Sequence, residues 1–184
     1  MKTLLGDSME KNNTLEAKKC VIADAGPLIH LDELDIIDLL SDFGEVLVPE
    51  SVLGEVMRHR PKLEIASWLY VRQVRKTIDP KIKAIMTRYP IHVGELDALN
   101  LAMSEGNVLF LTDDTAARLA AQSLNIEARG TVGIILRAIR RNLLTKTVTI
   151  QILESIPHKS TLHLSRTILF EVIQSVKDYQ QTIS

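Results

Sequence analysis

The chain is predicted to be an α/β protein of three α/β/α layers, with a central, mainly parallel sheet and further helices at its carboxyl end. Three observations carry this. Short apolar runs at residues 20–24 and 108–112 read as buried strands. Both give way to acids, Asp24 in the first case and Asp113 with Asp114 in the second, and then to apolar residues at helical spacing. Strands alternating with helices in this way need right-handed crossovers, which make the strands parallel and cover both faces of the sheet.

Residues 1–19 are polar and charged around the Leu4–Leu5 pair; they read as a tail without the apolar core of a signal peptide. After the strand at 20–24, Pro27 is suited to open a helix, and apolar residues from Leu28 to Leu40 continue it until Asp42 to Gly44 break the pattern. Residues 45–48 are predicted as a second strand, ended by Pro49, with Ser51 as the cap of a helix that carries Val52, Val56 and Glu55. Residues 63–68 look helical, 69–74 alternate like a strand, and 80–88 look helical again. In 94–103, Leu96, Leu99 and Met103 line one helical face, and Gly106 stops it. The strand at 108–112 follows, then a helix at 116–124, a short edge strand at 126–128 and a helix at 130–141. Two more helices complete the chain. The expected organisation is a tail (1–19), one domain (20–141) and a helical extension (142–184) packed on that domain.

With 184 residues, 46% hydrophobic and 24% charged, the chain is long enough for one substantial core and too apolar for extensive disorder. No uncharged apolar run approaches the roughly 18 residues a membrane span needs, so a soluble protein is expected. The single cysteine, Cys20, forms no internal disulfide, and no Cys/His cluster has zinc spacing, which points to a reducing, cytoplasmic setting. A net charge of −1 gives no general attraction for phosphate. Arginines and lysines do gather locally at Arg58, Arg60 and Lys62, at Arg72, Arg75 and Lys76, and at Arg137, Arg140 and Arg141. Each cluster suits a solvated face as well as a nucleic-acid contact.

The carboxylates are the main functional signal. In a parallel sheet, Asp24 and the Asp113–Asp114 pair emerge at the same edge, the carboxyl edge where open α/β sheets place their sites. Glu55, Glu95 and Asp97 lie on neighbouring helices within expected reach of it. Crowded carboxylates repel one another, so a hard cation such as Mg²⁺ or Mn²⁺ is implied. Structural duties compete: Glu95 and Asp97 suit a helix start through its dipole, and Asp113 or Asp114 suits a cap. Asp24, with Pro27 close behind it, has no evident capping duty.

The segments 21–29 (Val-Ile-Ala-Asp24-Ala-Gly-Pro-Leu-Ile), 48–56 (with Glu55), 94–102 (Gly94-Glu95-Leu-Asp97) and 111–114 (Leu-Thr-Asp-Asp114) resemble, in order and spacing, the successive signatures of the PIN-domain family. The resemblance covers residues 20–140 and is nearest to a prokaryotic branch close to the VapC-type toxins. It implies a PIN-like fold and an acidic quartet at Asp24, Glu55, Asp97 and Asp114. Asp24, Asp97 and Asp114 are implied as metal ligands, Glu95 and Asp113 as additional acids, and Thr112 as a supporting hydroxyl. Glu95 competes with Asp97 for the third place. The activity implied is metal-dependent hydrolysis of single-stranded RNA, in a homodimer and, for toxins, under a small antitoxin partner.

Two rival readings differ in class. A PIN-like module that binds protein or RNA without cutting would keep the fold but need none of the acids. A phosphotransfer enzyme with Asp24 as nucleophile is disfavoured, because no second acid stands two residues on. His30 reads as a packed or partner-facing side chain, and Trp68, Tyr70 and Tyr89 as packing residues.

Overall fold

The computed structural model describes residues 19–74 and 77–180. The predicted tail lies outside them except for Lys19, as do Arg75 and Lys76 of the second basic cluster. Five strands form one sheet: β1 (Cys20–Ala23), β2 (Val46–Pro49), β3 (Leu69–Arg72), β4 (Val108–Leu111) and β5 (Glu127–Arg129). Their spatial order is β3-β2-β1-β4-β5, and every neighbouring pair is parallel. The predicted α/β/α architecture with a parallel sheet is therefore the observed one, with helices flanking the sheet.

The central strands are apolar because the sheet is covered. Ile22, Ala23, Val46, Val48, Phe110 and Leu111 are wholly buried, and each large side chain among them removed from water contributes roughly 1.5–3 kcal/mol. Register places the acids. Ala23 of β1 stands opposite Leu111 of β4, and the Asp24 amide donates to the Leu111 carbonyl at 2.8 Å. Asp24 and Thr112 thus leave the sheet side by side.

Helix α1 (Ala25–Glu33) follows β1, α2 (Glu50–His59) follows β2, and α3 (Pro80–Met86) and α4 (Val93–Glu105) lie between β3 and β4. Helix α5 (Thr115–Ser123) follows β4, and α6 (Thr131–Arg140) follows β5. Gly106 ends α4 with φ 83°, a conformation that suits glycine.

Four local expectations are corrected. The helix predicted to reach Leu40 stops at Glu33; Asp35 turns back with φ 58°, and Ile37–Phe43 continue as a 3₁₀ helix. Ser51 is not the cap of α2, which starts at Glu50 behind Pro49; its hydroxyl donates to Asp97 Oδ2 at 2.6 Å instead. Residues 63–68 are not helical: Ile65 is 54% exposed, so the stretch has no buried face to stabilise a helix. Asp24 does cap a helix: it is the N-cap of α1, its Oδ1 accepting from the Ala25 amide at 2.8 Å, and Pro27 fits the first turn, where an N–H has no helical partner anyway.

Beyond Arg141, α7 (Lys146–Lys159) and α8 (Arg166–Asp178) pack on the same core. Leu153, Ile156, Leu162, Val172, Ile173 and Val176 are buried in one cluster with the strand residues. The Glu33 carboxylate, at the end of α1, accepts from Ser160 Oγ at 2.8 Å, Thr161 N at 2.7 Å and Thr161 Oγ1 at 3.0 Å. These bonds tie the α7–α8 connection to α1. Among the described residues no helix is long and apolar enough to cross a membrane.

Candidate active site

At the carboxyl edge of the sheet lies a cavity of about 600 Å³, lined by Asp24, His30, Glu55, Glu95, Asp113 and Asp114, with Ala25, Gly26 and His92, and closed on one side by Leu162 and His163. Among the described residues no lysine or arginine lines it.

Each acid is placed by local structure. Asp24 is 5% exposed; besides the Ala25 amide at Oδ1, its Oδ2 accepts from the buried Thr112 hydroxyl at 3.1 Å. Thr112 Oγ1 in turn accepts from the Asp114 amide at 3.2 Å, so one hydroxyl links the ends of β1 and β4. Asp114 caps α5, with Oδ1 accepting from Ala117 N at 2.7 Å. Glu95, in the first turn of α4, accepts from the His92 amide at 2.8 Å. Glu55 projects from the middle of α2 beside Gly94, where a Cβ would stand only 3.2 Å from its Oε2.

Asp97 is elsewhere. It accepts from Ser51 and lines a separate cavity between α2 and α4 with Glu50, Gln73 and Asn100. Two residues along a helix turn a side chain by about 200°, so Glu95 and Asp97 cannot both face the same way. The structure therefore brings Asp24, Glu55, Glu95, Asp113 and Asp114 to one cavity and leaves Asp97 out of it.

Burial pushes the Asp24 carboxyl up to about 7; the Ala25 amide and Thr112 hydroxyl pull it down, while the charges of Glu95 and Glu55 push it further up. Glu95 is also raised, chiefly by burial, with Asp114 and Glu55 adding repulsion against the His92 amide. Asp113 goes the other way. Burial alone would raise it, but hydrogen bonds from His30 and Thr131 outweigh burial and hold it below the usual carboxylate range. His30 Nδ1 lies 2.8 Å from Asp113 Oδ2, and Thr131 donates through its amide at 2.8 Å and its hydroxyl at 2.5 Å.

His30 is the residue whose place the sequence did not disclose. Six residues beyond Asp24 it reads as one polar position on an apolar helix; its partner Asp113 is distant in sequence, and only the β1–β4 pairing brings the two together.

The donor set fits a hard divalent cation in chemistry: Asp24, Glu55, Glu95 and Asp114 offer oxygen ligands and excess negative charge without a lysine or arginine in the cavity. The side chains are not drawn together as they stand, since no group of three His, Cys, Asp or Glu residues among those described could hold a metal ion.

A parallel α/β sheet with acids converging from β1, β4 and the flanking helices puts the chain among open α/β proteins with an acidic site at the carboxyl edge. The chain matches the DUF3368 model, described as a PIN domain, over residues 20–178, and belongs to that family. No curated protein matches the chain. PIN domains are in general nucleases that use divalent metal ions.

Proposed function

We propose that this protein is a divalent-metal-dependent endoribonuclease that hydrolyses single-stranded RNA. The observation that carries this reading is the buried Asp24, facing Glu55, Glu95 and Asp114 across a cavity without a lysine or arginine to neutralise them. Crowded acids without a lysine or arginine in their cavity are costly to keep ionised in a fold unless a cation joins them.

In this proposal Asp24, Glu95 and Asp114 hold Mg²⁺ or Mn²⁺, Glu95 taking the place that the family resemblance gives to Asp97. Such an ion, when bound, makes a coordinated water more acidic and offsets charge on a phosphate oxygen. Glu55, which lines the same cavity, would position the water. Thr112 fixes the Asp24 carboxylate, so Asp24 meets its ligand without first losing rotamer freedom. In this proposal basic residues outside the cavity meet the RNA backbone; Arg72, which ends β3, lines a separate cavity with Gln73 and Glu105. The other basic clusters are partly engaged: Arg60 pairs with Asp32, and Arg137 and Arg141 pair with Asp42.

Cleavage of unstructured RNA by the purified protein is expected with Mg²⁺ or Mn²⁺ and is expected to stop with EDTA, read on a gel of end-labelled oligonucleotides. Intact RNA with both metals and folded protein would favour the second reading, a PIN-like module that binds without cutting. The favouring observation for that alternative is the absence, among the described residues, of a closed three-ligand group.

The resemblance to VapC-type toxins supports a toxin paired with a small antitoxin, in a cytoplasmic setting consistent with the lone thiol of Cys20. We also read residues 142–184 as an extension of the single domain that begins at residue 20. A homodimer belongs to the same proposal, now on narrower grounds. Leu28, Leu31 and Leu40 are spent on the protein's own core, whereas Ile168 and Phe170 of α8 remain 50% and 62% exposed. Light scattering is expected to give twice the 20.6 kDa chain mass; a monomeric mass at micromolar concentration would remove the dimer.

A further inference from the structure

We propose that His30, held by Asp113, is the catalytic base of this site and takes the proton of the attacking water, a role that rests on the nuclease reading above. The geometry is specific. Asp113 is fixed by two hydrogen bonds from Thr131, through its amide and its hydroxyl, which leaves its Oδ2 turned to His30 Nδ1 at 2.8 Å. The cradle is tight: a Cβ on Gly130 would stand 2.5 Å from Asp113 Oδ1 and 2.8 Å from Arg118 Nη2, so only glycine leaves the carboxylate in place. An ionised carboxylate at Nδ1 accepts the proton there and leaves Nε2 with its lone pair. That nitrogen has no hydrogen-bond partner among the described residues, while the ring, 14% exposed, lines the cavity that holds Asp24, Glu55, Glu95 and Asp114.

A carboxylate–imidazole pair set against a reaction cavity does two things at once: it fixes the tautomer and steadies the imidazolium that forms. Here Nε2 accepts a proton from water as the water oxygen bonds to phosphorus. The bond from phosphorus to the leaving oxygen breaks, and its electron pair stays on that oxygen, which takes a proton from solvent. The imidazolium then returns its proton to solvent. Asp113 is the positioning residue; it touches His30 and not the reacting atoms. This division explains two adjacent acids after β4: Asp114 faces the cavity as a ligand donor, and Asp113 is committed to the base.

The test uses the full chain, single-stranded RNA and Mn²⁺. His30→Ala is expected to slow cleavage by about 10²–10³-fold, and added imidazole is expected to restore part of the rate, with substituted imidazoles rescuing better as their basicity rises. Asp113→Asn is expected to be slow and not rescued. If His30→Ala does not fold, His30→Asn keeps an amide N–H for Asp113 but has no basic nitrogen, and is expected to show the same loss. Independently of turnover, long-range ¹H–¹⁵N spectra of the metal-free protein are expected to show His30 protonated at Nδ1, and Asp113→Asn to shift the proton to Nε2. Cleavage by His30→Ala within threefold of the parent, rescue that ignores basicity, or an Nε2-protonated ring in the parent would each overturn the role of His30 and leave the nuclease reading standing. A parent that cuts no RNA would overturn both.

Discussion

Asp24→Asn is expected to lower RNA cleavage by more than about 100-fold, above what loss of a merely orienting neighbour costs, while making the metal-free protein more stable at pH 8. The sign follows from burial. In the unfolded chain Asp24 ionises near 3.8, and in the fold its value is pushed up to about 7. The folded state therefore binds the proton more tightly than the unfolded state, and this group's contribution to stability falls as pH rises between those two values. Above them the ionised form costs at most about 4 kcal/mol, the free-energy equivalent of that shift. Asn avoids this cost, since its carbonyl oxygen can still accept from Ala25 and its amide can donate to Thr112. For a chain of this length each kcal/mol moves the melting temperature by roughly 2–4 °C. In EDTA the variant should therefore melt above the parent at pH 8 and near it at pH 4. Added Mg²⁺ should raise the parent's melting point and leave the variant's unchanged. A variant that melts below the parent in EDTA at pH 8, or responds equally to Mg²⁺, would remove Asp24 from a shared metal site.

The second large effect separates Glu95 from Asp97. Glu95→Gln is expected to reduce cleavage by at least about 100-fold with little change in melting temperature, because Gln still accepts from the His92 amide as a capping residue does. Asp97→Asn is expected to keep the rate within about threefold, since its carboxylate serves Ser51 in another cavity. Steady-state cleavage of one oligonucleotide by both variants decides it. The reverse ranking would return the third place to Asp97.

Much of the architecture could be read before any coordinate was known, for a physical reason. The strands are buried on both faces, so β1 and β4 appear as uninterrupted apolar runs, and their acids mark the carboxyl edge. The elements that escaped prediction lack such a signature. In residues 63–68 only Leu63 and Trp68 pack, partly, against the core while Ile65 is exposed, and the break at Asp35 is a backbone event with no periodicity to betray it. The site was legible as a set of positions and not as a set of directions. Glu95 and Asp97 both sit at the start of α4, and only the rotation of that helix against α2 decides which one meets Asp24. Asp24 illustrates the reverse error: its capping of α1 was hidden because Pro27 was taken to occupy the first helical position, whereas the helix opens at Ala25.

The wall made by Leu162 and His163 bears on the order in which the site is made. Asp24, Glu55, Glu95 and Asp114 all come earlier in the chain than the segment that carries Leu162 and His163. A domain generally folds as a unit, and residues of α7 and α8 share the core of the strands. The anchor that holds the wall, Glu33, is available early, but Ser160 and Thr161 are not. The acids can therefore be present without the whole of their cavity, which gains its Leu162 and His163 side only where the α7–α8 connection docks on α1 through Glu33.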